Sequence, residues 1–186
     1  MDLSLAQAVV ALRRGGLVAC PTEAVWGLSC DPFDHAAVLR LLEVKRRPVE
    51  KGLIVAAADF AQLQPLLDLS RLPADRLDAV LAQWPGPHTW VMPASDAAPE
   101  WITGAHNGIA VRVTAHPQMA ALCRAFGGPL VSTSANFAAV PPAYRRDQLD
   151  PALLALTDGA LADGDTGGLA QPTPIRDAAS GALFRA

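Results

Sequence analysis

Charged residues make up only 18% of the 186-residue chain, and the formal net charge is -3. That balance excludes a strongly basic nucleic-acid coat, and a hydrophobic content of 51% excludes a disordered chain. Cysteine is scarce. Cys20, Cys30 and Cys123 are odd in number and widely spaced, with no CxxC pair and no His/Cys grouping at zinc-ligand spacing. Neither a disulfide framework nor a structural zinc site is expected, and the thiols are expected to be reduced and partly buried. No apolar run approaches the length needed to span a bilayer. The start Met1-Asp2-Leu3-Ser4 lacks the basic and apolar regions of a signal peptide, so a cytoplasmic location without a membrane partner is expected. Four familiar motifs are missing: the GxxxxGK(S/T) phosphate loop, the GxGxxG dinucleotide fingerprint, HExxH and GxSxG. A nucleotide, if one is bound, is held by another design.

What is present is an irregular alternation of helical and strand-like patterns without repeats or low-complexity linkers. Leu5, Ala8, Val9 and Leu12 stand at helical spacing between a capping Ser4 and the stop Gly15-Gly16, which predicts a helix over 3–14. The apolar run 17–20 predicts a buried strand that delivers Pro21-Thr22-Glu23 to a sheet end. Residues 24–30 read as further strand or turn, and Asp34 caps a helix over 35–45. Leu53 to Ala57 predicts a strand covered on both faces. Helices are expected over 59–67, 73–84, 116–126 and 145–156, and strands over 88–92, 108–113, 173–176 and 182–185. Leu130 to Asn136 passes from an apolar strand to small polar side chains, and Asp163 to Gly168 is a turn-rich stretch. The length suits one domain, 1–186, in the α/β class with a twisted mixed parallel and antiparallel sheet flanked by helices.

Local charge opposes global charge in one place. Lys45-Arg46-Arg47-Pro48-Val49-Glu50-Lys51 carries four of the fifteen basic residues. Such a loop can meet an anion or be a solvated surface turn. Further polar clusters fall at predicted strand ends: Pro21 to Glu23, Arg112, Ser132 to Asn136, and Thr173 to Arg176. The Ser132-Thr133-Ser134-Ala135-Asn136 run offers hydroxyls and backbone N-H groups to a phosphate, or bonds to its own turn. Arg112 offers a fixed fork to a carboxylate or phosphate, or pairs with a surface acid. Glu23 is a candidate base or a partner for Arg46 or Arg47. His35, His88, His106 and His116 stand in no ligand spacing and receive no chemical role. The four tryptophans, without interleaved basic residues, read as core or cleft wall.

Taken in order, Pro21-Thr22-Glu23-Ala24-Val25-Trp26-Gly27-Leu28, Lys45-Arg46-Arg47-Pro48 leading to Lys51-Gly52-Leu53-Ile54, Trp84-Pro85-Gly86-Pro87 with Thr89, Ala110-Val111-Arg112-Val113, and Ser132-Thr133-Ser134-Ala135-Asn136 resemble the YrdC-like family in its short bacterial form. The resemblance covers nearly the whole chain, to Arg185. It implies a YrdC-like single domain with a concave basic cleft and no C-terminal extension. It also implies an activity: L-threonylcarbamoyl-AMP and pyrophosphate are made from L-threonine, bicarbonate and ATP. The product would pass to a tRNA threonylcarbamoyl-transferase complex for threonylcarbamoyladenosine next to the anticodon of tRNAs reading codons that begin with A. Weak direct tRNA binding would fit as well.

By motif position, the resemblance puts Lys45, Arg47, Lys51, Ser134, Asn136 and Arg185 on ATP. It puts Thr22, Arg112, Ser132 and Thr173 on L-threonine. No covalent nucleophile and no protein metal ligand are implied; Mg2+ would arrive with the ATP phosphates. Lys45 and Arg47 are both expected to be loop cations, and Arg46 a solvated charge on the loop's outer face. Two departures stand out. Ala56 replaces a histidine that touches threonine in longer relatives, and Ala138-Ala139 replaces Ser-Gly. Other readings are an RNA-binding or ribosome-maturation module using the same basic cleft, and a carbamoyl-adenylate enzyme of hydrogenase maturation, whose chains are much longer.

Overall fold

The computed structural model describes residues 1–162 and 164–185; Asp163, which opens the expected turn-rich stretch, and the final Ala186 lie outside the described residues. The chain begins with strand β1 (Asp2–Leu3) and helix α1 (Leu5–Arg13). The Ser4 hydroxyl accepts from the Gln7 N-H at 3.3 Å, and the Gln7 side chain accepts from the Ser4 N-H at 2.8 Å. This reciprocal cap satisfies two amides that the first turn leaves open. Strands β2 (Val18–Pro21) and β3 (Trp26–Ser29) form an antiparallel pair, followed by α2 (His35–Lys45), whose Asp34 cap accepts from the Ala37 N-H. Then come β4 (Ile54–Ala57), α3 (Ala74–Leu81), β5 (Thr89–Pro93), α4 (Glu100–Thr103), β6 (Gly108–Val113), α5 (Pro117–Phe126), β7 (Leu130–Val131) and β8 (Thr133–Ser134). The chain finishes with α6 (Pro151–Leu154), β9 (Gly159–Leu161), β10 (Ile175–Asp177) and β11 (Leu183–Arg185).

Three of the expected helices are shorter than their patterns. Residues 59–67 form 3-10 turns, Phe60–Gln62 and Gln64–Leu66, because Pro65 lacks an N-H and the Asp59 carboxylate bonds to the Gln62 N-H. α3 starts after its N-cap Pro73 and ends at Leu81, short of the expected 84. Residues 145–156 split into a 3-10 turn, Arg146–Gln148, and the one-turn α6, with Pro151 starting anew. β1, α4 and β9 carried too little pattern to be expected.

The strands form two mixed sheets, ordered β1-β9-β2-β3-β8 and β11-β10-β5-β6-β4-β7. Each contains parallel and antiparallel pairs, as the mixed α/β reading requires. The chain crosses between them at Ser132: Val131 pairs with Val55 in one sheet, and Thr133 pairs with Leu28 in the other. That crossing explains why the apolar strand gives way to small polar side chains.

β4 is buried on both faces, in line with its unbroken apolar run. Val55 and Ala57 join a core with Trp26, Leu28, Leu41 and Val111, while Ala56 and Ala58 join a second core with Leu12, Met119 and Leu122. β2 divides the same way, Ala19 to the first and Val18 and Cys20 to the second. Each fully buried leucine in these cores contributes about 1.5–3 kcal/mol relative to exposure. Cys20, Cys30 and Cys123 are free and buried, and burial pushes the Cys20 thiol up to about 11.

Candidate active site: a cationic cleft walled by both sheets

A cavity of about 1030 Å³ opens where β3 and β8 of one sheet meet β4, β5, β6, β10 and β11 of the other. Its wall contains all ten residues that the resemblance assigns to ATP or L-threonine: Thr22, Lys45, Arg47, Lys51, Arg112, Ser132, Ser134, Asn136, Thr173 and Arg185. With Arg46, six cations line one space, and among the described residues no aspartate or glutamate contributes to the wall. In a chain of net charge -3 this is a strong local field, and it calls for an anionic occupant.

The loop after α2 is built by backbone geometry. Arg46 takes a left-handed φ of 50°, and the Arg47 N-H returns to the Leu42 carbonyl at 2.9 Å. The turn leaves Arg46 exposed, with its guanidinium 5.8 Å from the Phe137 ring centroid, and sends Arg47 inward. Arg47 Nη2 donates to the Gly52 carbonyl at 2.9 Å, and burial lowers the guanidinium pKa. Gly52 has φ +61°, and a Cβ there would stand 2.8 Å from the Thr103 carbonyl. Only glycine allows the loop to lie this close to α4. Lys51 is exposed at the rim.

Lys45 differs from the expected loop cation. It is the last residue of α2 and is 5% exposed. Its ammonium donates to the Ser134 carbonyl, to the Asn136 carbonyl at 2.9 Å and to Asn136 Oδ1 at 3.2 Å. The Ser134 hydroxyl donates to Asn136 Oδ1 at 2.6 Å, which makes the whole Ser-Ala-Asn turn one network centred on the lysine. Burial, aided by the charge of Arg47, pushes the Lys45 pKa down to about 8. Val38, Leu41, Leu42 and Lys45 share the inward face of α2, a spacing visible in the sequence that marks Lys45 as buried.

Arg112, on β6, is 4% exposed. Its Nη1 donates to Thr173 Oγ1 at 2.9 Å and to Thr89 Oγ1 at 3.3 Å, and its Nη2 to Ser132 Oγ at 3.2 Å. Three hydroxyls from three strand ends therefore surround one guanidinium. Its charge partner is Glu23, whose Oε2 lies 3.5 Å from Nε, so the alternatives of Arg46 and Arg47 for Glu23 do not hold. Thr89 belongs to this ring although motif position assigns it no ligand; a threonine opening an otherwise apolar strand was the available signal. Thr22 donates its hydroxyl to the Val25 carbonyl at 2.7 Å, closing the turn between β2 and β3. Arg185 Nη2 donates to the Thr173 carbonyl at 2.9 Å, and partial burial with the charges of Arg112 and Arg47 lowers its pKa.

Ala56 is fully buried in the second core, outside the cavity wall, where β4 contributes Ile54 instead. Of the histidines, His106 lines the cavity, while His35 stacks on Trp101 with ring centroids 4.5 Å apart. None of the four tryptophans lines it. Among the described residues no group of histidine, cysteine and carboxylate side chains is arranged to hold a metal ion, and no helix is long and apolar enough to cross a membrane. The cavity's hydroxyl and amide oxygens, without carboxylates, suit Mg2+ only as part of a polyphosphate complex that keeps most of its own water.

The Sua5/YciO/YrdC family model, described as telomere recombination, matches residues 10–186. A threonylcarbamoyl-AMP synthase of Xanthomonas campestris pv. campestris (strain B100) is 62% identical over 178 residues, covering 96% of this chain and 95% of that protein. One of Stenotrophomonas maltophilia (strain K279a) is 61% identical over 184 residues, covering 99% and 98%. The solved structure of P. abyssi Sua5 complexed with L-threonine superposes with a TM-score of 0.84 at 29% identity over 95% of this chain. The chain spans 52% of the length of that Sua5.

Proposed function

The chain belongs to the Sua5/YciO/YrdC family, and from that membership and the cleft we propose that it is a threonylcarbamoyl-AMP synthase that joins L-threonine, bicarbonate and ATP. The observation that carries the reading is one cavity with two different halves. One half is the Arg112 guanidinium ringed by the hydroxyls of Thr89, Ser132 and Thr173, suited to an amino-acid carboxylate. The other is the cation arc of Lys45, Arg47, Lys51 and Arg185 with the Ser134 to Asn136 turn, suited to a triphosphate.

In this reading Arg112 fixes the carboxylate of threonine, which leaves its amine free toward the phosphate half. The amine condenses with bicarbonate: a C-N bond forms and water leaves, giving the carbamate. A carbamate oxygen then attacks the α-phosphorus of ATP, a new P-O bond forms, and the bond to the β-phosphate oxygen breaks with release of pyrophosphate. Arg47, Lys51 and Arg185 balance charge on the departing pyrophosphate, and no protein nucleophile is consumed. Mg2+ would be held through the triphosphate on the Ser134 to Asn136 side of the cavity, keeping most of its own water, and would supply further charge neutralisation. Residues 1–186 act as one catalytic domain in the cytoplasm, and the labile product passes to a tRNA threonylcarbamoyl-transferase complex.

The test is pyrophosphate release by purified protein with ATP, Mg2+ and bicarbonate, with and without L-threonine. Release that depends on threonine is expected; a folded preparation without it overturns the reading. Tight, steeply salt-dependent tRNA binding without ATP would instead favour the RNA-binding reading.

A further inference from the structure

Arg112 meets only neutral hydroxyls on its cavity side, and its compensating charge comes from behind. Glu23 is 5% exposed and does not contribute to the cavity wall. Its Oε2 faces Arg112 Nε at 3.5 Å, and its Oε1 accepts from the Thr114 hydroxyl at 2.6 Å and the Ala115 N-H at 3.1 Å. Thr114 Oγ1 accepts in turn from the His116 N-H at 3.1 Å. The carboxylate is thus pinned by the segment that leaves β6, the strand that carries Arg112. Burial works against its ionisation, but Arg112, Thr114 and Ala115 hold its pKa below the ordinary value.

This arrangement has a consequence for the guanidinium. A buried arginine without a fixed partner on Nε is free to rotate its fork, and an incoming carboxylate then binds whichever edge is turned to it. With Nε ion-paired at 3.5 Å, without a hydrogen bond, to a carboxylate that Thr114 and Ala115 hold outside the cavity wall, the Nη edge and its hydroxyl ring are what the cavity sees. Glu23 lies behind Arg112 and outside the cavity wall, so the role of general base does not suit it.

We propose that Glu23 is a positioning residue for the amino-acid substrate: it acts through Arg112, locking the Nε edge so that the Nη edge and the hydroxyls of Ser132 and Thr173 face the substrate carboxylate. Thr114 is the second member of the device, since it orients Glu23. The proposal rests on the threonine and ATP reading of the cavity.

Three variants test it: Glu23→Gln, which keeps shape and one acceptor oxygen but loses the charge, Thr114→Val, which removes the hydroxyl, and Thr114→Ser, which keeps it. Each is measured for KM of threonine and of ATP in pyrophosphate release, and for threonine binding by calorimetry without ATP. Loss of one charge-assisted interaction predicts a threonine KM raised about tenfold in Glu23→Gln and about threefold in Thr114→Val, with the ATP KM within about twofold. Thr114→Ser is expected to restore the wild-type value. A folded Glu23→Gln with an unchanged threonine KM overturns the proposal, as does an equal rise in both KM values or a Thr114→Ser that fails to rescue. If Glu23→Gln does not fold, the Thr114 pair decides by the same criteria. Wild-type protein with neither threonine-dependent activity nor threonine binding overturns the functional reading, and this proposal with it.

Discussion

The Lys45 ammonium, at the C-terminal end of α2, is held by the backbone carbonyls of Ser134 and Asn136 and by Asn136 Oδ1. A cation of the basic cluster therefore fastens the Ser-Ala-Asn turn to the helix. Its loss should act on the fold as well as on any ligand.

Lys45→Ala is expected to lower stability by about 1–3 kcal/mol, because several buried oxygens lose their donor. ATP affinity should fall in the same variant. Chemical denaturation beside an ATP titration checks both; an unchanged denaturation midpoint would show that the network carries no stability.

Lys45 also predicts a pH dependence. Its pKa in the folded chain, about 8, lies below the ordinary 10.5, so folding disfavours its charged form. Below pH 8 that charge is a cost to the fold. As pH rises from about 8 to 10.5 the unfolded chain holds more protons at this site than the folded one, and the Lys45 contribution to stability rises. Triphosphate affinity moves the opposite way, falling as the ammonium is lost above about 8. Calorimetric ATP titrations between pH 7 and 9.5 should show this limb in the wild type and lose it in Lys45→Met.

Arg47→Ala separates the two halves of the cavity. The ATP KM should rise by roughly tenfold or more while the threonine KM stays within about twofold, since a charge-assisted contact is worth about 1.5–3 kcal/mol. Steady-state pyrophosphate release with each substrate varied in turn is the measurement. A parallel rise of both constants would contradict the division.

Arg112→Lys gives the reverse pattern. It keeps a charge opposite Glu23 but loses the fork that reaches Thr89, Thr173 and Ser132, so the threonine KM should rise roughly 10–100-fold with ATP little affected. Arg112→Ala is a poorer probe, because removing one member of a buried pair costs about 3–5 kcal/mol and threatens folding.

Gly52→Ala tests the loop. With φ +61° and the Thr103 carbonyl 2.8 Å from the added Cβ, both strain and a backbone clash result. A stability loss of about 1–3 kcal/mol is expected, with a weaker ATP affinity because Arg47 is bonded to the Gly52 carbonyl. Thermal unfolding and ATP titration of the same sample measure the two effects.

The sequence by itself determined what depends on near neighbours. The cap at Ser4, the helix from His35 to Lys45, the doubly buried β4 and the order of the motifs follow from spacing and propensity within a few residues. The motif residues could therefore be named, and all of them reach one cavity. Tertiary structure alone decided the partners. Glu23 meets Thr114 across 91 positions, Arg112 meets Thr173 across 61, and Lys45 meets Ser134 across 89. It also divided the strands between two sheets at Ser132, where no local signal separates one strand that bends from two that part. Lys45 marks the boundary between the two kinds of information. Its charge marked it as a loop cation, although its spacing from Val38, Leu41 and Leu42 is that of the inward helix face. A buried ammonium is tolerable only where oxygens gather to receive it, and those come from a distant turn of the chain.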